Sequence, residues 1–153
     1  MTDGPGRQAA TLRLAPALVE QTGYLLRIAF VRAGEVGAAS LPEGTSVRFY
    51  GVLQTLTELG PRSQHELSRL LHVNRTMMVG LIDAMEGAGL VERRRNPTDR
   101  RSYALGLTPR GRTTLKRARA ALDQSNAELA RTLGGGPAER ELHGLLRKLL
   151  AVD

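Results

Sequence analysis

Cysteine and tryptophan are absent from the 153 residues, and the aromatic residues are only three tyrosines and two phenylalanines. Without cysteine the chain can form no disulfide scaffold, no thiolate zinc site and no thiol redox switch. With so few aromatic rings, the core has to be built from leucine, valine, alanine, isoleucine and methionine. Hydrophobic residues still make up 41% of the chain, which is typical of a folded domain rather than a disordered one.

Long hydrophobic runs are also missing. The longest stretch without Asp, Glu, Lys or Arg is the nine residues Phe49–Thr57, whereas a membrane-spanning helix needs about 20 apolar residues. The first ten residues lack the apolar run of a secretory signal. We therefore expect no membrane partner, and the length predicts one domain, because domains usually have about 100–200 residues.

Negative charge is scarce in one segment. Between Glu92 and Arg119, ten basic residues accompany two acidic ones, so this segment carries +8 while the rest of the chain sums to −1. Twenty of the 22 basic residues are arginine, whose planar guanidinium binds phosphate or guanine in a bidentate manner. Charge concentrated in this way indicates a polyanion-binding face. The alternative is a solvated basic surface.

The first half of the chain shows the apolar spacing of two helices. Residues 1–10 are expected to be a disordered tail. The first helix is predicted from about Leu14 to Val36, and Thr45 is predicted to cap the second. Glycine and proline mark the two helix ends, at Gly34, Gly37 and Pro42 and then at Gly60-Pro61.

A tight helix-turn-helix is predicted next. Ser63-Gln64-His65-Glu66 has the Ser-x-x-Glu pattern of a capping box, which opens the third helix. Asn74 is predicted to cap the fourth helix, which runs to Ala88. The turn between these two helices has only about three residues, which is typical of a helix-turn-helix. The core face of the fourth helix is predicted to consist of Met78, Leu81, Ile82 and Met85.

After Gly89 the apolar period changes from that of a helix to that of a strand. Residues 90–95 are predicted to be extended, residues 96–99 are rich in turn formers, and apolar residues alternate with small ones over 102–107. Thr108-Pro109 then starts a fifth helix to about Leu133, and a sixth runs to about Ala151 after a glycine-rich break. The sequence thus predicts a mainly α fold of six helices with a small β-hairpin wing, a winged helix-turn-helix.

Five motifs over about residues 45–115 make this chain resemble the MarR (multiple-antibiotic-resistance regulator) family. They are Leu53-x-x-Leu56, Gly60-Pro61-Arg62-Ser63-Gln64-x-Glu66-Leu67, Gly89-Leu90-Val91-Glu92-Arg93, Asn96-Pro97-x-Asp99-Arg100-Arg101 and Leu107-Thr108-Pro109-x-Gly111.

The resemblance implies a bacterial transcription regulator rather than an enzyme. Its partners would be a pseudo-palindromic operator in double-stranded DNA, a second copy of the chain and a small, aromatic or phenolic effector that releases a repressor from DNA. No cofactor or metal is expected, because there is no cysteine and no compact group of His, Asp and Glu. A protein of this kind would be cytoplasmic and associated with the nucleoid.

The resemblance also divides the chain by role. Residues 11–44 would hold the N-terminal dimerisation helix and a linker, residues 45–108 the DNA-binding lobe, and residues 109–153 the C-terminal dimerisation helices. The leucine-rich ends independently favour a dimer. The residues expected at its interface are Leu14, Leu18, Leu122, Leu129, Leu142, Leu145, Leu146 and Leu149.

The fourth helix would enter the major groove. Arg75 would contact guanine or phosphate, and Thr76 a base or phosphate. Many relatives have Thr and Arg where Val79 and Gly80 stand, so base readout is expected to be thinner here; the alternative for Met77 and Val79 is simple packing. The DNA-contacting residues expected before the wing are Ser63, Gln64, Arg75, Thr76, Met77, Val79 and Gly80. For Ser63, capping is the stronger role.

The wing would place arginine in the minor groove, where the potential is negative. The family motif makes Arg101 the best candidate, with Asp99 orienting the wing rather than touching DNA. At least one arginine of residues 93–95 is expected to be structural, paired with Glu92. The wing residues expected to contact DNA are Arg94, Arg95, Arg100 and Arg101.

The candidates for the effector site come from the family resemblance. In relatives, aromatic acids bind between the dimerisation helices and the DNA-binding lobe, which makes Arg27, Phe30, Phe49 and Tyr50 candidates here. The alternative for each is plain core or surface. For the whole protein, the competing function is a non-specific, architectural DNA-binding protein.

Overall fold

The computed structural model describes residues 14–95 and 103–151. These residues form seven helices and one two-stranded sheet. In chain order the elements are α1 (Pro16–Val19), α2 (Thr22–Ser40), α3 (Val47–Leu59), α4 (Gln64–Leu70), α5 (Arg75–Gly87), β1 (Val91–Arg95), β2 (Tyr103–Leu107), α6 (Pro109–Thr132) and α7 (Gly136–Leu150). None of these helices has the length and apolar character needed to cross a membrane.

The chain divides into two compact units, Met1–Ala33 and Gly34–Asp153. The described part of the first unit holds α1 and the first part of α2, and none of its side chains is fully buried. The second unit holds the end of α2 and all later elements, with the hydrophobic core. The expected disordered tail, residues 1–10, lies outside the described residues.

The prediction of one long first helix is wrong, because two helices stand in its place. The break falls at Glu20 and Gln21, between α1 and α2. The next two residues are Thr22 and Gly23, a β-branched residue and a glycine, and both are poor helix formers. This division is why the described residues contain seven helices where six are predicted.

The prediction that Gly34 and Gly37 help to end this helix is also wrong, since α2 continues through both glycines to Ser40. Gly37 is buried, and a Cβ atom there would lie 3.5 Å from Val47 Cγ2 and 3.7 Å from Leu122 Cδ2. A Cβ atom here would make only ordinary van der Waals contacts, so Gly37 lies inside a continuing, packed helix and does not end it.

The N-cap of α3 is Ser46, not the predicted Thr45. Ser46 Oγ accepts a hydrogen bond from the Phe49 amide at 3.2 Å. The Thr45 hydroxyl instead donates to the Pro42 carbonyl, so it is not available to cap the helix that follows.

The other predicted caps are confirmed. Ser63 and Glu66 form the complete capping box of α4. Asn74 Oδ1 accepts from the Met77 amide at 2.8 Å at the start of α5. Thr108 Oγ1 accepts from the Gly111 amide at 2.9 Å at the start of α6. Each cap satisfies a backbone N–H that the helix itself leaves unpaired.

The core lies under the helix-turn-helix and the hairpin. It is aliphatic and sulfur-containing, as the scarcity of aromatic residues predicts. Met78, Ile82 and Met85 are buried on one face of α5, with Leu81 half-buried beside them. The core cluster consists of Val52, Leu53, Leu56, Leu67, Met78, Ile82, Met85, Leu90, Val91, Leu105, Leu107 and Leu115.

The hairpin is antiparallel, and its register places Val91 opposite Leu107 and Arg95 opposite Tyr103. The backbone of Arg62 extends it on the other side, since Leu105 donates to the Arg62 carbonyl at 2.8 Å and Arg62 donates to the Leu105 carbonyl at 3.3 Å. The segment before α4 is therefore hydrogen-bonded to the base of the wing.

Candidate DNA-binding surface

The turn before α5 determines how this helix is presented. α4 and α5 are separated by four residues, Leu71–Asn74. His72 takes a positive φ of 50° although it is not glycine, and Ser68 Oγ donates to the Val73 carbonyl at 2.6 Å. The turn is thus held from within α4, and the Asn74 cap then starts α5 in a defined direction.

The expected contact residues of α5 all lie on the surface. Arg75, Thr76 and Gly80 are exposed, and the exposed fractions of Met77 and Val79 are 44% and 42%. Met77 and Val79 are therefore not part of the described core. Near Gly80 there is open space where a side chain would be. The exposed residues are thus polar at the helix N-terminus, whereas Met77 and Val79 are apolar and Gly80 has no side chain.

The three arginines of β1 have different surroundings. Arg94 is paired with Glu92 on the same strand, and its Nε lies 2.9 Å from Glu92 Oε1. The expectation that one arginine pairs with Glu92 is confirmed. Arg95 is exposed at the end of the described strand. Residues 99–101, which include Asp99, Arg100 and Arg101, lie outside the described part of the chain.

Arg93 makes two contacts that the sequence analysis missed. Its Nη2 lies 2.8 Å from Asp83 Oδ1, and its Nε lies 2.8 Å from Glu86 Oε2. Both carboxylates belong to α5. The available signal was the pair of acidic residues near the end of the recognition helix, where the helix dipole disfavours negative charge.

Ser63 acts as a cap in this structure. Its Oγ accepts from the Glu66 amide at 3.2 Å and lies 2.7 Å from Glu66 Oε2, to which it donates. The pKa of the Glu66 carboxyl lies below its ordinary value, chiefly because this hydroxyl donates a hydrogen bond to the charged carboxylate. Gln64, the other candidate on α4, is half-buried at the first position of the helix.

The start of α6 packs closely on the segment between α5 and β1. Thr108 Oγ1 donates to the Gly89 carbonyl at 2.6 Å, and the Thr108 amide donates to the Leu90 carbonyl at 3.2 Å. A Cβ atom on Gly111 would lie only 2.1 Å from Leu90 O. The Thr and Gly of the Leu-Thr-Pro-x-Gly motif therefore allow the backbone of α6 to pass close to that of Leu90. The sequence pattern did not predict this contact.

This arrangement of a capped helix beside a basic hairpin matches known proteins. The model of the MarR family matches residues 48–103. A putative transcriptional regulatory protein for the hcr operon of Thauera aromatica is 31% identical over 140 residues, which cover 90% of this chain and 83% of that protein. The chain belongs to the MarR family.

Solved structures of family members agree with the assignment. The transcriptional repressor CouR bound to a 23-mer DNA duplex is 33% identical, with a TM-score of 0.76 over 92% of this chain and 97% of CouR. CouR from Rhodococcus jostii has also been solved with p-coumaroyl-CoA. BpsR of Bordetella bronchiseptica, whose DNA binding is regulated by 6-hydroxynicotinic acid, is 28% identical, with a TM-score of 0.76 over 88% and 96% of the two chains.

This MarR-family chain is therefore a DNA-binding transcriptional regulator with a winged helix-turn-helix. Its recognition helix is α5, and its wing is the β1–β2 hairpin. Among residues 14–95 and 103–151, no three His, Asp or Glu side chains are grouped so as to hold a metal ion.

The candidate effector residues fall in both units. In the first unit, the Arg27 guanidinium lies 5.8 Å from the centre of the Tyr24 ring, and Phe30 has an exposed fraction of 73%. In the second unit, Phe49 and Tyr50 are half-buried against the core. Phe49 and Tyr50 thus pack against the core, whereas Phe30 is mostly exposed.

The candidate interface leucines are most exposed on α7. Leu142, Leu145 and Leu149 have exposed fractions of 38%, 58% and 62%. Together with the half-buried Leu146 they form one face of the helix, because their spacing is i, i+3, i+4 and i+7. Leu14, Leu18, Leu122 and Leu129 are half-buried.

Proposed function

We propose that this regulator is a sequence-specific repressor which a small aromatic effector releases from a pseudo-palindromic operator. The observation that carries the DNA-binding part is the exposed N-terminal half of α5, capped by Asn74 and flanked by the arginines of β1. Two recognition helices in a dimer would address half-sites about one helical turn apart. We place the protein in the cytoplasm at the nucleoid because its ligand is chromosomal DNA, and we propose regulation rather than catalysis as its role.

The preference of this regulator for its own operator depends on the side chains of α5. Val79 and Gly80 offer no hydrogen bond to a base, which keeps the architectural alternative open. The affinity for the protein's own promoter should therefore be compared with that for random DNA at one salt concentration. We expect a ratio of at least about 10³. A ratio near one would support the architectural function instead.

The salt dependence of binding measures how many phosphates the dimer contacts. If the two wings and two recognition helices neutralise about 8–10 phosphates, the slope of log K against log salt should be roughly −7 to −9. Titration of a fluorescent operator duplex at several salt concentrations between about 50 and 300 mM gives this slope. A slope near −2 would mean that the basic segment is a solvated surface.

The effector class is proposed from chemistry shared by two relatives. BpsR responds to 6-hydroxynicotinic acid and CouR binds p-coumaroyl-CoA, and both compounds combine an aromatic ring with an acyl group. We propose Arg27 for the acidic group and Phe30 for the ring. Release of the operator by a panel of hydroxylated aromatic acids and their CoA thioesters tests this, and release by neither series would exclude the class.

The leucine face of α7 is proposed as part of the dimer interface, together with Leu14, with Leu18 of α1 and with Leu122 and Leu129 of α6. Large exposed apolar surfaces in a folded chain mark interaction sites. The double variant Leu145→Asp/Leu149→Asp should be monomeric at micromolar concentration in sedimentation. Losing four buried leucines per dimer removes about 6–12 kcal/mol of association free energy. Lys148→Ala, on the same helix, is the control and should remain dimeric; a dimeric double variant would contradict this interface.

A further inference from the structure

One guanidinium connects the wing to the recognition helix. Arg93 of β1 is bound at 2.8 Å by Asp83 and at 2.8 Å by Glu86, through two different nitrogens. We refer to these three residues as the Arg93 clamp. The planar fork of arginine holds two carboxylates in one orientation, so the clamp restrains the direction of β1 relative to α5 as well as the distance between them.

The acidic residues of the clamp stand where a helix disfavours them. Asp83 and Glu86 are the two acidic residues of α5, and both lie in its last two turns, near the negative end of the helix dipole. The last turn contains no basic residue. Arg93 supplies the positive charge from outside the helix, so its ion pairs offset the unfavourable placement of the two carboxylates.

The clamp also contributes no positive charge to the DNA-binding surface. One guanidinium between two carboxylates leaves a net charge of −1. Its side chains are partly exposed, with exposed fractions of 42% for Arg93, 58% for Asp83 and 30% for Glu86. A carboxylate pair beside the major groove repels phosphate, which makes a direct phosphate contact by Arg93 unfavourable.

We propose that Arg93 is a positioning residue that holds the wing at a fixed distance and angle from the recognition helix. In the proposed complex, helix and wing would enter neighbouring grooves of the same duplex, so both contacts would form at full strength only when the protein presents them at the spacing of the DNA. Restraining that spacing before binding lowers the ordering cost of association. This inference rests on the proposed operator binding, which it deepens.

The first test separates positioning from phosphate contact. Arg93→Gln should lower operator affinity about 5- to 30-fold, because each protomer loses two partly exposed ion pairs. The slope of log K against log salt should stay unchanged, since Arg93 neutralises no phosphate. Arg95→Gln, two residues along the same strand, is the matched control and should make the slope shallower by about 2 per dimer. A shallower slope for Arg93→Gln would overturn the proposal.

The second test uses the carboxylates, for which positioning and simple electrostatics predict opposite signs. The double variant Asp83→Asn/Glu86→Gln removes negative charge beside DNA, so electrostatics alone would strengthen binding. The clamp predicts weaker binding, by about the same factor as Arg93→Gln. Adding Arg93→Gln to the double variant should then lower operator affinity by less than a further factor of two. Stronger binding by the double variant, or additive losses, would overturn the proposal.

Hydrogen exchange in the protein without DNA tests the Arg93 clamp independently of the proposed function. In the free dimer, hydrogen exchange at the amides of β1 should speed up about 3- to 10-fold in both Arg93→Gln and the double carboxylate variant, because the wing opens more often. Exchange in α3, away from the clamp, should not change, and circular dichroism should confirm that both variants are folded. If the wild type shows no operator preference, the proposed function fails, while unchanged exchange in β1 would refute the clamp itself.

Discussion

Replacing Gly111 with alanine is expected to destabilise the protein by about 3 kcal/mol, the upper end of the usual cost of overpacking and a large part of the stability of a domain this size. The added Cβ would lie 2.1 Å from Leu90 O and 3.0 Å from Leu107 Cδ2. Relief requires Leu90 to move, but Leu90 is 3% exposed and its carbonyl accepts the Thr108 amide. Urea unfolding followed by circular dichroism, at one fixed concentration of the dimer, gives the loss.

Gly80→Ala is the matched control for this prediction. Gly80 also lies within a helix, but nothing is within 4 Å of the position of its Cβ. Alanine there should raise stability by about 0.5–1 kcal/mol, because it reduces the entropy of the unfolded chain. If Gly111→Ala unfolds at the same urea concentration as the wild type, the close crossing of α6 over Leu90 is wrong.

Arg101→Ala is expected to have the largest effect on DNA binding. The family motif proposes a minor-groove contact for Arg101 in each half-site, so the dimer would lose two contacts at about 1–3 kcal/mol each. That corresponds to a loss of affinity of roughly 30-fold to 10⁴-fold. The salt slope should also become shallower, because the lost contacts neutralise charge on the duplex. Titration of the operator duplex at several salt concentrations measures both quantities.

Lys148→Ala serves as the control for charge alone, since Lys148 is exposed on α7, outside the basic segment 92–119. Its affinity and salt slope should equal those of the wild type. Arg75→Ala should differ from both, with a relaxed preference at one base position of each half-site if Arg75 reads guanine. Wild-type binding by Arg101→Ala would show that the wing assignment is wrong.

The local features of the fold were predictable because their causes lie within three or four residues. The Ser63 capping box and the Asn74 and Thr108 caps each join a side chain to a backbone amide three positions later, so their spacing is visible in the sequence. The wrong cap prediction at Thr45 also has a local cause. Thr45 and Ser46 both carry a hydroxyl that could cap the helix. The Thr45 hydroxyl donates to the Pro42 carbonyl, so the Ser46 hydroxyl forms the cap.

The DNA-binding surface was predictable in outline but not in its division of roles. Charge and spacing indicated α5 and the hairpin, and five motifs identified the family. Which arginine of β1 is available to DNA depends on carboxylates ten and seven positions earlier, on another element. Arg93 and Arg94 look alike in the sequence, but one is held by α5 and the other by its own strand.

The sequence by itself determined the order of the helices, most of their caps, the basic hairpin and the membership of the MarR family, since these depend on periodicity, short-range hydrogen bonds and contiguous motifs. Only the tertiary structure decided that Gly37 packs inside a continuing helix, that Gly111 admits the carbonyl of Leu90, and that Arg93 binds Asp83 and Glu86. These depend on distances between residues on different elements. Such distances are set by how the elements pack, and no local pattern encodes them.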